Sequence, residues 1–199
     1  MADARPPSAH RRIAIADAVI EVLAAKGSRG TTHRAVDQHL GFPEGSTSAY
    51  FRTRASLLAA AAHRAAELDR EALQGFLTEA NQGDVIGLAA LITAVVDAWT
   101  TADVAPRQLA RFELHLEALR NPELANVFVE LRSSFVKLAE TALATAGGSV
   151  TAPADSSTLA GALIALVDGL IVDRLLHPRT ALPVEHLSEA VAHLLASNA

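Results

Sequence analysis

The chain contains no cysteine. That excludes a disulfide framework and thiolate metal sites, and it fits a reducing, cytoplasmic setting. Aromatic residues make up 4% of the 199 positions, with one Trp and one Tyr, so any core must rest on Ala, Leu, Val and Ile. No membrane span is expected, because the most apolar stretch, 159–176, is interrupted by Asp168, Asp173 and Arg174. The opening MADARPPSAHRR lacks the apolar segment of a secretory leader. No stretch alternates apolar and polar residues for long enough to read as a strand. A Gly-rich phosphate loop, a Gly-x-Ser-x-Gly elbow and a Cys nucleophile are all missing, which removes the common signatures of an enzyme.

Half of the residues are hydrophobic, enough for a sizeable core. The net charge of −5 argues against nucleic acid, but its distribution does not. Residues 1–64 carry nine Lys/Arg against five Asp/Glu, a net of +4, and the remainder carries −9. A basic front on an acidic body is the footprint of a phosphate-facing module attached to a part that does not bind.

Helical spacing recurs along the chain and predicts an all-α protein of about nine helices. A mobile arm is expected over 1–7, then helices over 8–25, 33–40, 43–51 and 54–79, with Gly27 and Gly30 ending the first. Thr32 is the expected N-cap of the second helix, and Thr53 of the fourth. Asn81-Gln82-Gly83 closes the fourth, and Asp84 caps the next. Further helices are expected over 85–103, 106–120, 122–146, 156–177 and 184–197. Pro106, Pro122 and Pro183 fall where a first turn tolerates proline. Residues 147–154 read as a flexible loop.

The segment 31–58, TTHRAVDQHLGFPEGSTSAYFRTRASLL, is laid out as two short helices, a tight turn at Gly41 and a third helix opening on an Arg. That is a helix-turn-helix. Ala35, Val36, Leu40 and Phe51 are expected to pack inward. Glu44, Ser46, Thr47, Ser48 and Tyr50 are expected to face outward, where small hydroxyls can approach base edges or phosphates. Thr32, His33 and Arg34 at one helix N-terminus, and Thr53 and Arg54 at another, are candidate phosphate contacts. Gly45 is a further candidate DNA contact.

These residues resemble the DNA-binding head of the tetracycline-repressor (TetR) family of transcriptional regulators. The resemblance lies in the first helix (Ile13–Ala25), Gly27, Thr31-Thr32, Gly41, Gly45-Ser46, Phe51, Arg54 and Leu57, and covers about residues 10–60. Four positions depart from the family pattern. Pro43 stands where Ser often caps the third helix, Glu44 where Lys often follows, and Ser48 where an aromatic is common. Arg54 replaces a frequent Lys. The resemblance implies a head over 1–53, a ligand-binding and dimerising body over 54–199, and repression relieved by a small molecule. The implied DNA is a palindromic double-stranded operator.

In the body, Val184, Leu187, Val191, Leu194 and Leu195 form a near-heptad seam, and 159–167 is apolar nearly all round. A homodimer through these last two helices is expected, as the resemblance also implies. Trp99, Phe112, His115 and Asp168 lie in or beside apolar stretches and are the candidate contacts to a mainly apolar ligand. An all-helical metal or small-molecule enzyme is the rival reading, but the paired Glu-x-x-His motifs of a di-iron bundle are missing. The nearest cluster, His186, Glu189 and His193, sits on one helix face without a second ligand set. A helical scaffold binding only protein is the other rival, and it leaves the basic front unexplained. No catalytic residue, metal ligand or cofactor is expected.

Overall fold

The structure is a computed structural model describing residues 7–79, 83–146 and 156–196. The expected arm apart from Pro7, Asn81-Gln82 of the expected helix break, and the loop expected over 147–154 lie outside the described residues. Among the described residues there are nine helices and no strand. They are α1 (Pro7–Gly30), α2 (His33–Leu40), α3 (Ser46–Tyr50), α4 (Arg54–Glu79), α5 (Val85–Trp99), α6 (Ala105–Ala118), α7 (Pro122–Thr145), α8 (Ser156–Leu176) and α9 (Val184–Ala196). No helix among them is long and apolar enough to cross a membrane.

The helices pack as two compact units, Met1–Leu68 with Pro106–Leu131, and Asp69–Ala105 with Arg132–Ala199. Helices α4 and α7 therefore each contribute residues to both units. The first unit is built around one apolar cluster. Ile15, Val19 and Leu23 of α1 meet Val36 of α2, Phe51, and Leu57, Leu58 and Ala61 of α4, all buried. Ala110 and Leu114 of α6 and Leu124 of α7 complete it. Apolar residues three and four apart put these side chains on one helix face, and burying that face drives the packing.

Helix α1 departs from expectation near its end. Gly27 breaks the helical geometry at φ 66°, ψ 178°, and the following residues form one further turn before Thr31. Only glycine adopts that conformation without strain. Thr31 is buried, and its hydroxyl donates to the Gly27 carbonyl at 2.9 Å, which fastens the irregular turn.

In the second unit, α5 is buried along Leu88, Ile92, Val95, Val96 and Trp99. Helix α9 packs principally on α5, and α8 also packs against α5. Arg174 of α8 reaches Asp97 of α5 at 3.5 Å. This placement corrects part of the expected seam. Leu187 and Val191 are buried within the chain, whereas Leu194 stays exposed. Helix α8 has no single apolar side, as expected. It buries Ala160, Leu163 and Ile171 and leaves Ala162, Ala165 and Gly169 at the surface.

Gly27→Ala forces a side chain into a glycine-only backbone region and costs about 1–3 kcal/mol. Urea unfolding of the variant and the parent measures this difference. The Cβ itself meets only ordinary contacts with Glu113, 3.7 Å away, so crowding adds little.

Candidate nucleic-acid interface

Helix α2 begins as its sequence dictates. The Thr32 backbone is extended, and its hydroxyl accepts from the Ala35 N–H at 3.1 Å. It ends at Gly41 in the left-handed conformation, φ 65°, where the chain turns toward α3. Helix α3 is shorter than expected and starts at Ser46 instead of 43. Pro43 to Gly45 form a turn, with the Ser46 N–H donating to the Pro43 carbonyl at 3.1 Å and Gly45 left-handed at φ 92°.

The start of α3 is held by Asp37, a residue of α2 that the sequence reading passed over. Its carboxylate is buried and accepts three hydrogen bonds. The Gly45 N–H donates at 2.8 Å, the Thr47 N–H at 2.8 Å and the Thr47 hydroxyl at 2.6 Å. Burial by itself would raise the Asp37 pKa. The bonds from Thr47 and Gly45, with the nearby His33, outweigh it and hold the carboxyl below its ordinary value.

The expected outward face of α3 therefore needs one correction. Thr47 is fully buried and points at Asp37, so it fastens the helix and cannot read DNA. A five-residue helix has room for few outward positions, and one is given to its anchor. Ser48 is exposed and Ser46 half-buried, their hydroxyls donating to the carbonyls of Gly45 at 2.8 Å and Pro43 at 2.7 Å. Each oxygen still has lone pairs to accept with. Tyr50 is half-buried against the core. Glu44 is exposed beside Arg34 at 4.0 Å, with 75% and 71% of the side chains accessible, a pairing too open to fix either.

The expected phosphate contacts are differently placed. Thr53 is exposed and caps α4, accepting from the Ser56 N–H at 3.0 Å. The His33 ring Nε2–H donates to the Phe51 carbonyl at 2.7 Å, tying α2 to the end of α3. Arg54 opens α4, but its guanidinium is committed inside the first unit. It donates to Glu117 of α6 at 2.6 Å, to the Ser28 carbonyl at 2.8 Å and to the Ser28 hydroxyl at 2.7 Å. The Ser28 hydroxyl donates to Glu117 at 2.6 Å and the Ser28 N–H to Glu113 at 3.1 Å. Bonds from Ser28 and Arg54 hold the Glu117 carboxyl below its ordinary pKa, against the opposing effect of burial and with help from the Arg54 and Arg120 charges. An arginine so engaged fastens α1, α4 and α6 together, and its expected role as a phosphate grip is corrected accordingly.

The candidate ligand residues fall in both units. Phe112 and His115 of α6 come together, rings 6.3 Å apart, and His115 lies 4.3 Å from the ring of Phe128 in α7. Trp99, buried in α5, and Asp168, half-buried in α8, belong to the second unit. His186, Glu189 and His193 form no metal-binding group, nor does any other set of three among the described residues.

A head whose third helix is anchored by a buried carboxylate, followed by a helical body, is the layout of a one-component transcriptional regulator. The family model for the tetracyclin repressor-like C-terminal domain matches residues 83–197. Among solved structures, the multidrug-binding protein EbrR crystallised with imidazole is 30% identical, covering 92% of this chain and 94% of its own, with a TM-score of 0.68. A TetR-family member from Streptomyces coelicolor is 29% identical over 95% of this chain and 98% of that one, with a TM-score of 0.70. A transcriptional regulator from Saccharomonospora viridis in complex with choline shares the fold at 17% identity, covering 96% of this chain and 97% of that one, TM-score 0.76. No curated protein matches in sequence. The chain belongs to the tetracycline-repressor-like family of ligand-responsive transcriptional regulators.

Asp37→Asn replaces one acceptor oxygen by an NH2 donor and so leaves a buried donor unmatched, which lowers stability by about 1.5–3 kcal/mol. Because the folded-state pKa of Asp37 is depressed, its contribution is fully present above the unfolded value and is lost as pH falls through the folded one. Acid titrations of unfolding should therefore show part of the wild-type loss, beginning below about pH 4, abolished in Asp37→Asn. An unchanged acid profile contradicts the anchor. Arg54→Ala and Glu117→Gln are expected to be non-additive in a double-mutant cycle, with a coupling of about 0.5–1 kcal/mol for a pair 40% and 24% accessible.

Proposed function

We propose that the chain is a repressor that binds a palindromic DNA operator as a homodimer and is released from it by a small molecule. The anchored α3, offering Ser46 and Ser48 on a backbone fixed by Asp37, is the observation that carries this reading. Small hydroxyl side chains let a helix approach a major groove closely. In this reading residues 1–53 form the DNA-binding head, with Thr32, Arg34, Gly45, Ser46, Ser48, Tyr50 and Thr53 near the duplex. Residues 54–199 take the ligand and the second subunit.

The dimer would form through α8 and α9. Ala162, Ala165 and Gly169 leave one side of α8 both small and exposed, and Leu176 and Leu194 are exposed large apolar residues on the same two helices. Such small residues permit close approach of helices. The ligand would be a mainly apolar molecule with a flat or cationic group. EbrR, 29% identical to this chain, is described in complex with ethidium, and another of its complexes holds proflavin. Phe112 and His115 of the first unit would supply ring surfaces to it; Trp99 and Asp168 of the second unit are the alternative contacts.

Selection from a random pool of DNA duplexes tests the reading. The expected product is a palindrome whose half-sites lie about 10–10.5 base pairs apart, or a multiple of that spacing. An enriched site without two-fold symmetry would remove the homodimer, and no enrichment would remove the regulator itself. Ligand control makes a second demand, because coupling between two sites is reciprocal. The affinity for tetraphenylphosphonium, read from the single Trp99, should fall on saturation with the selected duplex by the factor through which the cation weakens DNA binding. Equal affinity with and without DNA means that apolar cations are not its signal.

A further inference from the structure

We propose that Arg11 and Arg12, adjacent at the start of α1, are the phosphate-gripping cations of the head, one preset at each end of α3. The inference rests on the DNA-reading role argued above and names residues outside the helix-turn-helix segment that the sequence singled out.

The geometry is specific. The Arg11 guanidinium lies over the ring of Phe42, 4.3 Å from its centroid, in the connection that leads into α3. The Arg12 guanidinium lies over the ring of Phe51, 4.5 Å from its centroid, at the residue that caps α3. Arg12 also donates from Nη1 to the Tyr50 carbonyl at 3.1 Å. Phe51 is buried in the core and Phe42 is packed against it, so each cation rests on a platform fixed by the fold. Both arginines are nevertheless exposed.

Stacking suits this task. A guanidinium lying on a ring keeps the edge of its planar fork for other acceptors, and the ring quadrupole stabilises the charge. Arg12 has five N–H donors, and among the described residues one of them, on Nη1, is given to the Tyr50 carbonyl. Holding the side chain in advance lowers the entropy that a long, flexible cation loses on contacting phosphate.

Position points the same way. Helix α3 has five residues, a length of about 7.5 Å at 1.5 Å per residue. The major groove is about 12 Å wide. Groups just beyond the two ends of so short a helix therefore stand near the walls of the groove, where the phosphates run. Exposed Glu44 also lies beside α3 and repels phosphate, so cations must outweigh it. Arg54 is bound to Glu117 and Ser28, whereas the paired arginines of α1 are held by rings in the connection into the reading helix and at its final cap.

The test uses the full chain and a fluorescent random-sequence DNA duplex, with anisotropy titrations across a range of salt. Each phosphate contact contributes about 0.9 to the slope of log K against log salt. Arg11→Ala and Arg12→Ala should each flatten the slope by about two, one contact from each subunit of the proposed dimer, and the double variant by about four. Arg12→Lys should keep the slope, because charge is retained, yet bind more weakly than wild type because an ammonium cannot share the ring and the carbonyl in the same way. That variant also guards against misreading a damaged head, since a folding defect would weaken binding in Arg12→Lys and Arg12→Ala without separating their slopes. A wild-type slope retained in the double alanine variant overturns the inference and leaves the DNA-reading role standing. A wild-type chain with no salt-dependent affinity for any duplex overturns that role and the inference with it.

Discussion

The reading head depends on one buried carboxylate. Asp37 lies inside α2, yet its work is done on the next helix, where it accepts from Gly45 and twice from Thr47. An isolated helix of five residues is far below the length that is stable in water. Neither propensity nor its own hydrogen bonds can hold α3. Three charge-assisted bonds in a buried setting can, because each is stronger than its neutral counterpart and water does not compete there. The His33 bond to the Phe51 carbonyl fixes the other end, so α2 grips α3 at both its start and its finish. A reading element that cannot stand alone is thereby made rigid.

A second constraint ties the head to α6. Glu113 and Glu117 stand one turn apart on α6 and accept from the Ser28 N–H and hydroxyl, beyond the irregular turn at Gly27. Arg54 neutralises Glu117 and bonds the Ser28 carbonyl, bringing the start of α4 to the same point. Three helices thus meet at a backbone segment whose geometry only glycine allows. Arg54, with the charge of Arg120, offsets the carboxylate pair there, and the short bonds make the junction depend on the placement of α6. Phe112 and His115 lie on the same helix, so a ligand held by them, as proposed, would act on the entry of α4 through a few short bonds within one compact unit.

The fold was legible in the sequence to a large degree, and the reasons are physical. Helices α2, α4, α6, α7, α8 and α9 fall close to their expected bounds, and α5 starts where expected but ends at Trp99 instead of 103, because apolar spacing, N-caps such as Thr32 and Asp84, and prolines in or beside first turns all mark helices locally. The core residues Val36 and Phe51 were expected to pack inward from the same spacing. What escaped was anything decided between elements. Thr47 is indistinguishable from Ser46 and Ser48 in composition, and only the position of Asp37 across the turn shows that it points inward. A charged Asp on a short helix reads as solvated until the donors of Gly45 and Thr47 are placed against it. Arg54 matches a phosphate-contact position in sequence, whereas its partner Glu117 lies 63 residues away. The same limit applies to the seam of α9, where spacing reveals an apolar stripe but not whether α5 or another subunit covers it.

The chemistry of α3 also bears on how such a head would discriminate among sequences. The exposed hydroxyl at Ser48 and the half-buried one at Ser46 can accept or donate one bond at a time, and the helix carries no Arg, Asn or Gln. The strongest base discrimination comes from bidentate pairs of those larger side chains, about 1–3 kcal/mol each. Single hydroxyl contacts are weaker and tolerate several bases. A reading surface of this kind gains little by flexibility and much by accurate placement, since a displacement of a fraction of an ångström removes a lone hydrogen bond altogether. In the proposed reading, the buried Asp37 anchor and the stacked arginines would serve the same requirement: they would hold a chemically modest helix in one position, with backbone contacts fixing its register and the spacing of half-sites adding the selectivity that its side chains lack.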